Sequence, residues 1–451
     1  MRKTICTFIL ILLVFGMAFP GLAQEEITQE KQEQEKTQEE LEKERRRQAR
    51  EEQEEREREA AKDYFLNLSL YYPVSINKTR YDNVNLNLTL LYSRVGNVNG
   101  LDIALGASAI TERLNGLQIC GLMGAAGESG SGAQFAGLMT VAGESFTGVQ
   151  GSFLMNVAGT SFQGIQATGL MNVIGDRGSG FQGAGLFNVA GDSYRGIQLS
   201  GLFNVVGDDN KGLQAVGLFN VTGGHLTGGQ FAGLFNVAGE GLNGFQAGIF
   251  FNVTGEELRG LQVGSANVAA DSKGLQIGLA NAAGTNRGVQ IGLVNYTKED
   301  NEGVPIGAVN LARNGRIKGI GWGGNGVAVS GGAKFEVGRY YSIVSLGFGN
   351  LEHNITESFS YGIHYGLTFP SGKLTLNPDV GYRYRDNKPL FKNPKDRPDQ
   401  HILEGRFSLG FPASDRISLF VGGGIGHSFD AGKNINTGNT YPLIFAGLEF
   451  F

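Results

Sequence analysis

Cysteine is almost missing from this chain. Of 451 residues only Cys6 and Cys120 carry a thiol. Cys6 lies inside an N-terminal stretch that reads as a removable leader, so the mature chain keeps one thiol and no intramolecular disulfide. Histidine is nearly as scarce. His225, His353, His364, His401 and His427 are the complete set, and none has a second His or Cys at metal-ligand spacing. No metal or cofactor site follows from these residues. Nor is there an excess of positive charge: the formal balance is -5, which gives no electrostatic case for a nucleic-acid partner. Beyond the leader no run approaches the eighteen apolar residues of a membrane-spanning helix, so any membrane span must be made of strands. A Ser/His/Asp or paired-carboxylate constellation is also missing, and no catalytic residue is assigned. Gly-rich pieces such as GWGGNG do not open a helix after a parallel strand, which excludes a phosphate loop. The acidic turns GDDNKG and KEDNEG fit neither an EF-hand nor a calcium β-roll register.

What the chain has instead is glycine, 72 of them, without the three-residue period of collagen. It begins MRKTICTFILILLVFGMAFPGLAQ, with basic Arg2 and Lys3, an apolar run, and small residues at Gly21 and Ala23. This predicts a secretory signal peptide over 1–23. Residues 24–63 then switch to Glu, Gln, Lys and Arg. Opposite charges fall three or four apart, which favours a solvated helix, or a disordered spacer, with room for a periplasmic partner. Ile27 and Leu41 are too few apolar residues to fill a coiled-coil seam.

From Gly100 to about Arg316 one short phrase recurs. Gln118, Gln134, Gln150, Gln166, Gln182, Gln198, Gln214, Gln230, Gln246 and Gln262 stand sixteen residues apart. The step shortens to fourteen at Gln276 and Gln290, and Pro305 takes the slot fifteen residues later. The phrase reads G-x-Q-x-x-G-L-[FM]-N-V-x-G, as in GLQAVGLFNVTGGHLT from Gly212. A period this short and strict means that each repeat leans on its neighbours.

Read as one strand per repeat, Leu213, Ala215, Gly217, Phe219 and Val221 form an apolar face. Gln214, Val216, Leu218, Asn220 and Thr222 form the other, with Leu218 as its blemish. Ten residues, one apolar face, one largely polar face and a Gly-rich turn describe a transmembrane strand. The segments FLNLSLYYPVSI and NVNLNLTLLYSRV (64–99) alternate similarly and predict first barrel strands, with Asn83, Asn85, Asn87 and Thr89 on one face. The tail (316–451) adds further alternating segments, among them YYSIVSLGFGN and RISLFVGGGIGHSF. Tyr340, Tyr341, Tyr361, Tyr365, Tyr382 and Tyr384 gather near strand ends like an interfacial girdle. Two strands, the repeat strands of 100–315 and the tail predict an all-β antiparallel transmembrane barrel of about twenty-four strands.

The rival reading is a parallel β-solenoid with stacked Gln and Asn. Successive repeats look alike, with no 32-residue alternation of inner and outer turns. The last repeats also lose one residue between Gln and Asn (QIGLAN against QAVGLFN), which would flip a face in a strand but is absorbed easily at a solenoid corner. Against the solenoid stand the hairpin-like connections entering and leaving the repeats (RVGNVNG, LARNGRIKG).

The hairpin NLNLTLLYSRVGNVNGLDIALGA, the repeated G-[VIFL]-Q-x-x-G-L-x-N-V, the closing GVPIGAVNLARNG and the final FAGLEFF resemble a family of bacterial surface-repeat proteins. The likeness covers about Tyr64 to Phe451. It implies a predicted outer-membrane protein of a Gram-negative bacterium, in contact with outer-membrane lipid, and it brings no catalytic residue. The expectation is therefore a non-enzymatic outer-membrane barrel, a scaffold or passive pore. The alternative is a surface-exposed solenoid acting as an adhesin or structural element. The Gln and Asn columns either line a lumen or satisfy one another across strands.

Overall fold

The structure, a computed structural model, describes residues 29–349, 358–387 and 398–450, with side chains from Leu41 onward. The expected signal peptide, Ile27, His353 and the centre of the long polar connection lie outside the described residues. A helix, Gln29–Glu59, opens the described chain. Its surface is polar all round, with ion pairs one turn apart such as Arg46–Glu42 at 2.7 Å and Arg47–Glu51 at 2.9 Å. Apart from one short 3-10 turn, Ile435–Thr437, the regular structure described after it is strand. The chain divides at Asp209 into two compact units.

In the first unit the repeats are coils of a parallel β-solenoid. Each sixteen-residue repeat makes two strands, as in Ser145–Ser152 and Met155–Ala158, and each residue pairs with its counterpart in the next coil: Gln150 with Gln166, Asn156 with Asn172. The antiparallel barrel expected for 100–315 is thereby corrected. Successive repeats run in the same direction, and the polar turns stack on one edge, with the Asp192 amide bonded to the Asp176 carbonyl. The reason lies in two bends per repeat. The expected strand, Leu213 to Thr222, breaks at the Gly217–Leu218 corner between Asn210–Val216 and Phe219–Thr222. A second bend precedes it: Gly148, the counterpart of Gly212, has φ +133°, and a Cβ there would stand 1.9 Å from the Gly132 carbonyl oxygen. Phe146 and Gln150, on either side of that glycine, both point inward and are buried.

The expected barrel strands of 64–99 are corrected likewise. Asp63–Tyr71 pairs in parallel with Asn83–Val95, and Asn83–Val95 in parallel with Val98–Ala104 and Ala107–Ile110. An irregularity between Val84 and Leu86 shifts the alternation, placing Val84 inward beside Asn87 and leaving Asn85 exposed. The helix ends against these first coils. Arg58 meets Glu112 at 3.2 Å and covers the Tyr81 ring at 4.8 Å, while Arg80 holds Glu54 at 2.8 Å.

The second unit begins with coils of the same kind, Asn210–Val216 and Phe219–Thr222 being the first pair of strands. The run of coils ends with Val304–Ala312. The shortened repeats lose their residues at corners: Gln262 and Gln276 remain paired, as do Asn267 and Asn281. Eight antiparallel strands follow. They are Gly315–Gly324, Val329–Val337, Tyr340–Phe348, Phe359–Leu367, Leu374–Asp386, Gln400–Pro412, Ile417–Asp430 and Asn439–Phe450. The last pairs with the first, so the sheet closes into a barrel. The last coil packs on this barrel: Asn310 and Ser342 hydrogen bond at 3.2 Å, and the Tyr365 hydroxyl donates to the Pro305 carbonyl at 2.8 Å.

Candidate membrane-facing surfaces

Inside the coils the Gln and Asn columns meet themselves. Gln150 donates its amide to Gln134 at 2.8 Å and accepts from Gln166 at 2.8 Å. The Asn column runs the other way, Asn156 donating to Asn172 at 2.9 Å while its second N–H reaches the Ala167 carbonyl at 2.9 Å. All are fully buried. They line no lumen; they satisfy one another through the core, where an unpaired amide would cost about 1–3 kcal/mol.

Asp102 stands in the Gln slot for a reason the sequence conceals. Asn67 donates to Asn87 and Asn87 donates to Asp102, both in the direction of later coils, at 2.8 and 2.7 Å. Gln118 donates to Asp102 from the opposite side at 2.7 Å. Two ladders of opposite polarity converge there, and only a group that accepts on both oxygens fits. Burial pushes the Asp102 carboxyl above its ordinary range against these three-sided hydrogen bonds. Burial likewise pushes the Cys120 thiol up to about 12, leaving it unreactive.

The outside of the coils is apolar on one side and charged on the other. Phe219, Phe235 and Phe251 form a column of half-buried rings stacked at 4.9 and 4.8 Å. Leu218, the blemish of the presumed inner face, sits at a corner and is exposed, as are Phe250 (56%), Leu279 (65%) and Leu293 (60%) in later coils. In the first unit Leu122, Leu138 and Phe153 lie exposed at that corner. Charge collects at the opposite corner, where Lys273 meets Glu257 at 2.8 Å, Arg287 meets Asp271 at 2.7 Å and His225 meets Glu240 at 2.9 Å.

The barrel shows the same inversion more strongly. Within it Arg383 binds Glu404 at 3.0 Å, His364 reaches Glu404 at 2.6 Å, and Arg406 holds Asp379 at 2.8 Å. Lys334 lies between Glu336 at 2.9 Å and Glu449 at 2.7 Å. Arg383, His364, Glu404, Arg406, Asp379 and Lys334 are buried and Glu336 and Glu449 partly so, and the space left among Trp322, Tyr341, Asp379, Arg406 and Phe445 is about 10 Å³. A larger opening of about 110 Å³ lies at the Lys318, Lys373 and Glu449 end. Outside, Val344, Val380, Leu403, Phe407, Val421, Ile425 and Ile444 are exposed, the last at 67%. Tyr361 and Tyr384 stack at 5.3 Å near one end of the wall, and the Tyr340 and Tyr365 rings at 6.4 Å near the other.

No family model, curated protein or solved structure matches the chain. Among the described residues no helix is long and apolar enough to cross a membrane, and no group of three or more His, Cys, Asp or Glu is placed to hold a metal. Of the histidines, His364 is part of the barrel's charge network, His401 bonds Tyr382 at 2.6 Å, and His427 bonds Thr440 at 2.8 Å. The surface that sequence reasoning missed is the apolar corner. Its signal was present: from the bend glycine to the end of the short strand, the stretches 116–126, 132–142, 148–158 and 164–174 contain no Asp, Glu, Lys or Arg.

Proposed function

We propose that the chain is a non-enzymatic surface protein of a Gram-negative outer membrane, in which the closed barrel is the anchor in lipid and the solenoid is a structural or adhesive element. The observation that carries this reading is the polarity of the barrel, ion pairs within and a largely apolar wall without. Water-soluble proteins bury the opposite way, whereas an outer-membrane barrel alternates apolar-out and polar-in along every strand. Eight strands suffice for a filled barrel but not for a channel, and Arg383, His364 and Lys334 occupy the interior. The reading is therefore an anchor and not a passive pore.

Membrane partition tests it. The full-length protein should resist carbonate extraction from membranes and migrate faster on gels unheated than heated. The pair Val380→Asp and Ile444→Asp, on the outer wall, should abolish both. Release of the wild-type protein into the soluble fraction would overturn the proposal.

A further inference from the structure

The barrel wall is not the only apolar surface of the second unit. This inference rests on the reading of the barrel as a lipid anchor and extends it. In that unit the outward arc of every coil is free of charge: residues 212–222, 228–238, 244–254, 260–269, 274–283, 288–297 and 304–312 contain no Asp, Glu, Lys or Arg. The charges of these coils stand at the other corner, paired among themselves. Hydroxyls on the arc are satisfied locally, as where Ser265 donates to the Ile249 carbonyl at 2.7 Å. Backbone groups along the arc bond from coil to coil, so none is left facing outward for want of water.

The arc also joins the barrel. Ile277, Ile291 and Ile306, one from each of three successive coils, form an apolar groove with Ile363, Val380 and Leu403 of the barrel wall. The polar groups at this junction are satisfied within the protein: the Tyr365 hydroxyl donates to the Pro305 carbonyl at 2.8 Å, and the Tyr382 hydroxyl is bonded to His401 at 2.6 Å. A lipid phase that wets Val380 therefore reaches Ile291 without a boundary, because transfer of each apolar group follows the same area rule.

We infer that the uncharged arc of the second unit's coils is seated in the acyl chains of the leaflet that the barrel wall enters, with the charged corner turned to water. These coils then lie in the interface as an amphipathic element, in the way an amphipathic helix does, and do not cross the membrane. Exposed leucines along the arc, an aggregation liability in water, become its means of attachment.

Site-specific depth labelling decides this. In the full chain with Cys6→Ala and Cys120→Ala, single variants Leu293→Cys, Leu279→Cys, Val380→Cys and Glu240→Cys would carry an environment-sensitive fluorophore. The protein would be reconstituted into phosphatidylcholine–phosphatidylethanolamine vesicles containing acyl-chain nitroxide lipid. Expected is quenching at Leu293→Cys and Leu279→Cys to at least about half the extent seen at Val380→Cys, with none at Glu240→Cys. Quenching at Val380→Cys alone leaves the anchor in place and overturns the inference. Loss of quenching at all four sites overturns the anchor, and the inference with it. A Leu293→Cys probe that is shielded from water yet unquenched, and that crosslinks to a second chain, overturns the inference in favour of self-association.

Discussion

The coils and the barrel both hide polar groups and expose apolar ones, yet they satisfy their interiors by different means. In the repeated coils beyond Asp102 the interior is built from neutral amides. One amide repeats at a fixed register, so Gln182 has Gln166 below it and Gln198 above it and needs no other partner. The barrel has no such period. Neighbouring strands run in opposite directions and bring unlike residues together, so its interior is closed by complementary charges such as Arg383–Glu404 and Arg406–Asp379. Repetition lets a residue bond to its own kind; without it, the interior requires donors and acceptors of different chemistry. The first device spreads polar stabilisation thinly along the stack, whereas the second concentrates it in a few ion pairs.

The sharpest break between the regions should come from a charge placed inside a coil. Gln214 is fully buried in its ladder, where it accepts from Thr222 and Gln230. Gln214→Arg should cost more than about 5 kcal/mol and prevent folding, because it buries an uncompensated charge. Phe219→Arg, on the outer column, should leave the fold intact in detergent. Far-ultraviolet circular dichroism and protease resistance compare the two, and equal damage would remove the inside–outside assignment.

Next in size is the bend glycine. Gly148→Val meets both the positive φ and the Gly132 carbonyl, and should destabilise by about 4 kcal/mol. Gly405→Ala in the barrel, where nothing lies within 4 Å of the added carbon, should change stability by less than about 0.5 kcal/mol. Denaturant unfolding of the two variants measures the contrast.

Smaller effects distinguish the interiors themselves. Arg383→Met should cost about 3 kcal/mol by leaving Glu404 short of its principal cation, and the damage should be confined to the barrel. Gln182→Leu should cost about 2 kcal/mol, since it strips a donor from Gln166 and an acceptor from Gln198. Hydrogen exchange locates each loss; a Gln182→Leu effect that spread to the barrel strands would deny the coils their separate cohesion.

The smallest effect is a slope. Because burial raises the Asp102 carboxyl in the folded protein, the folded state holds that proton more tightly than the unfolded chain does. Its contribution is fully present below the ordinary carboxylate range and is lost as pH rises through the raised folded value. Asp102→Asn should flatten this fall in stability with pH. An unchanged pH profile in the variant would show that the carboxylate is already charged in the fold.

How much of this was legible follows from the same contrast. The period was plain, and so was the division between Gln214, Asn220 and Thr222 on one face and Leu213, Ala215, Phe219 and Val221 on the other. Direction was not, because alternation along a strand is the same whether its neighbour runs parallel or antiparallel. The clue lay in the two glycines that recur in every repeat, Gly212 and Gly217 with their counterparts, which mark two corners. Leu218 appeared misplaced only because a straight strand was assumed; a corner turns it outward. The tail was read as barrel strands, but its charged residues were not recognised as the filling of a small, separately closed barrel. Lys334, Arg383, Glu404 and Arg406 are close only after closure, across separations that no local pattern encodes.

The in-register stacking of identical coils has one more consequence, for heredity. A coil that finds Gln below and Gln above is indifferent to which repeat supplies either. Removing or duplicating one whole sixteen-residue unit, Gln166 through Phe181 for example, sets Gln on Gln and Asn on Asn again at the join, while pairs such as Gly178 and Tyr194 are matched anew. Unequal crossing-over between repeats can therefore change the length of the solenoid in steps of one coil while its two ends stay as they are. A lineage of such chains is expected to differ in repeat number more readily than in the sequence of any single repeat.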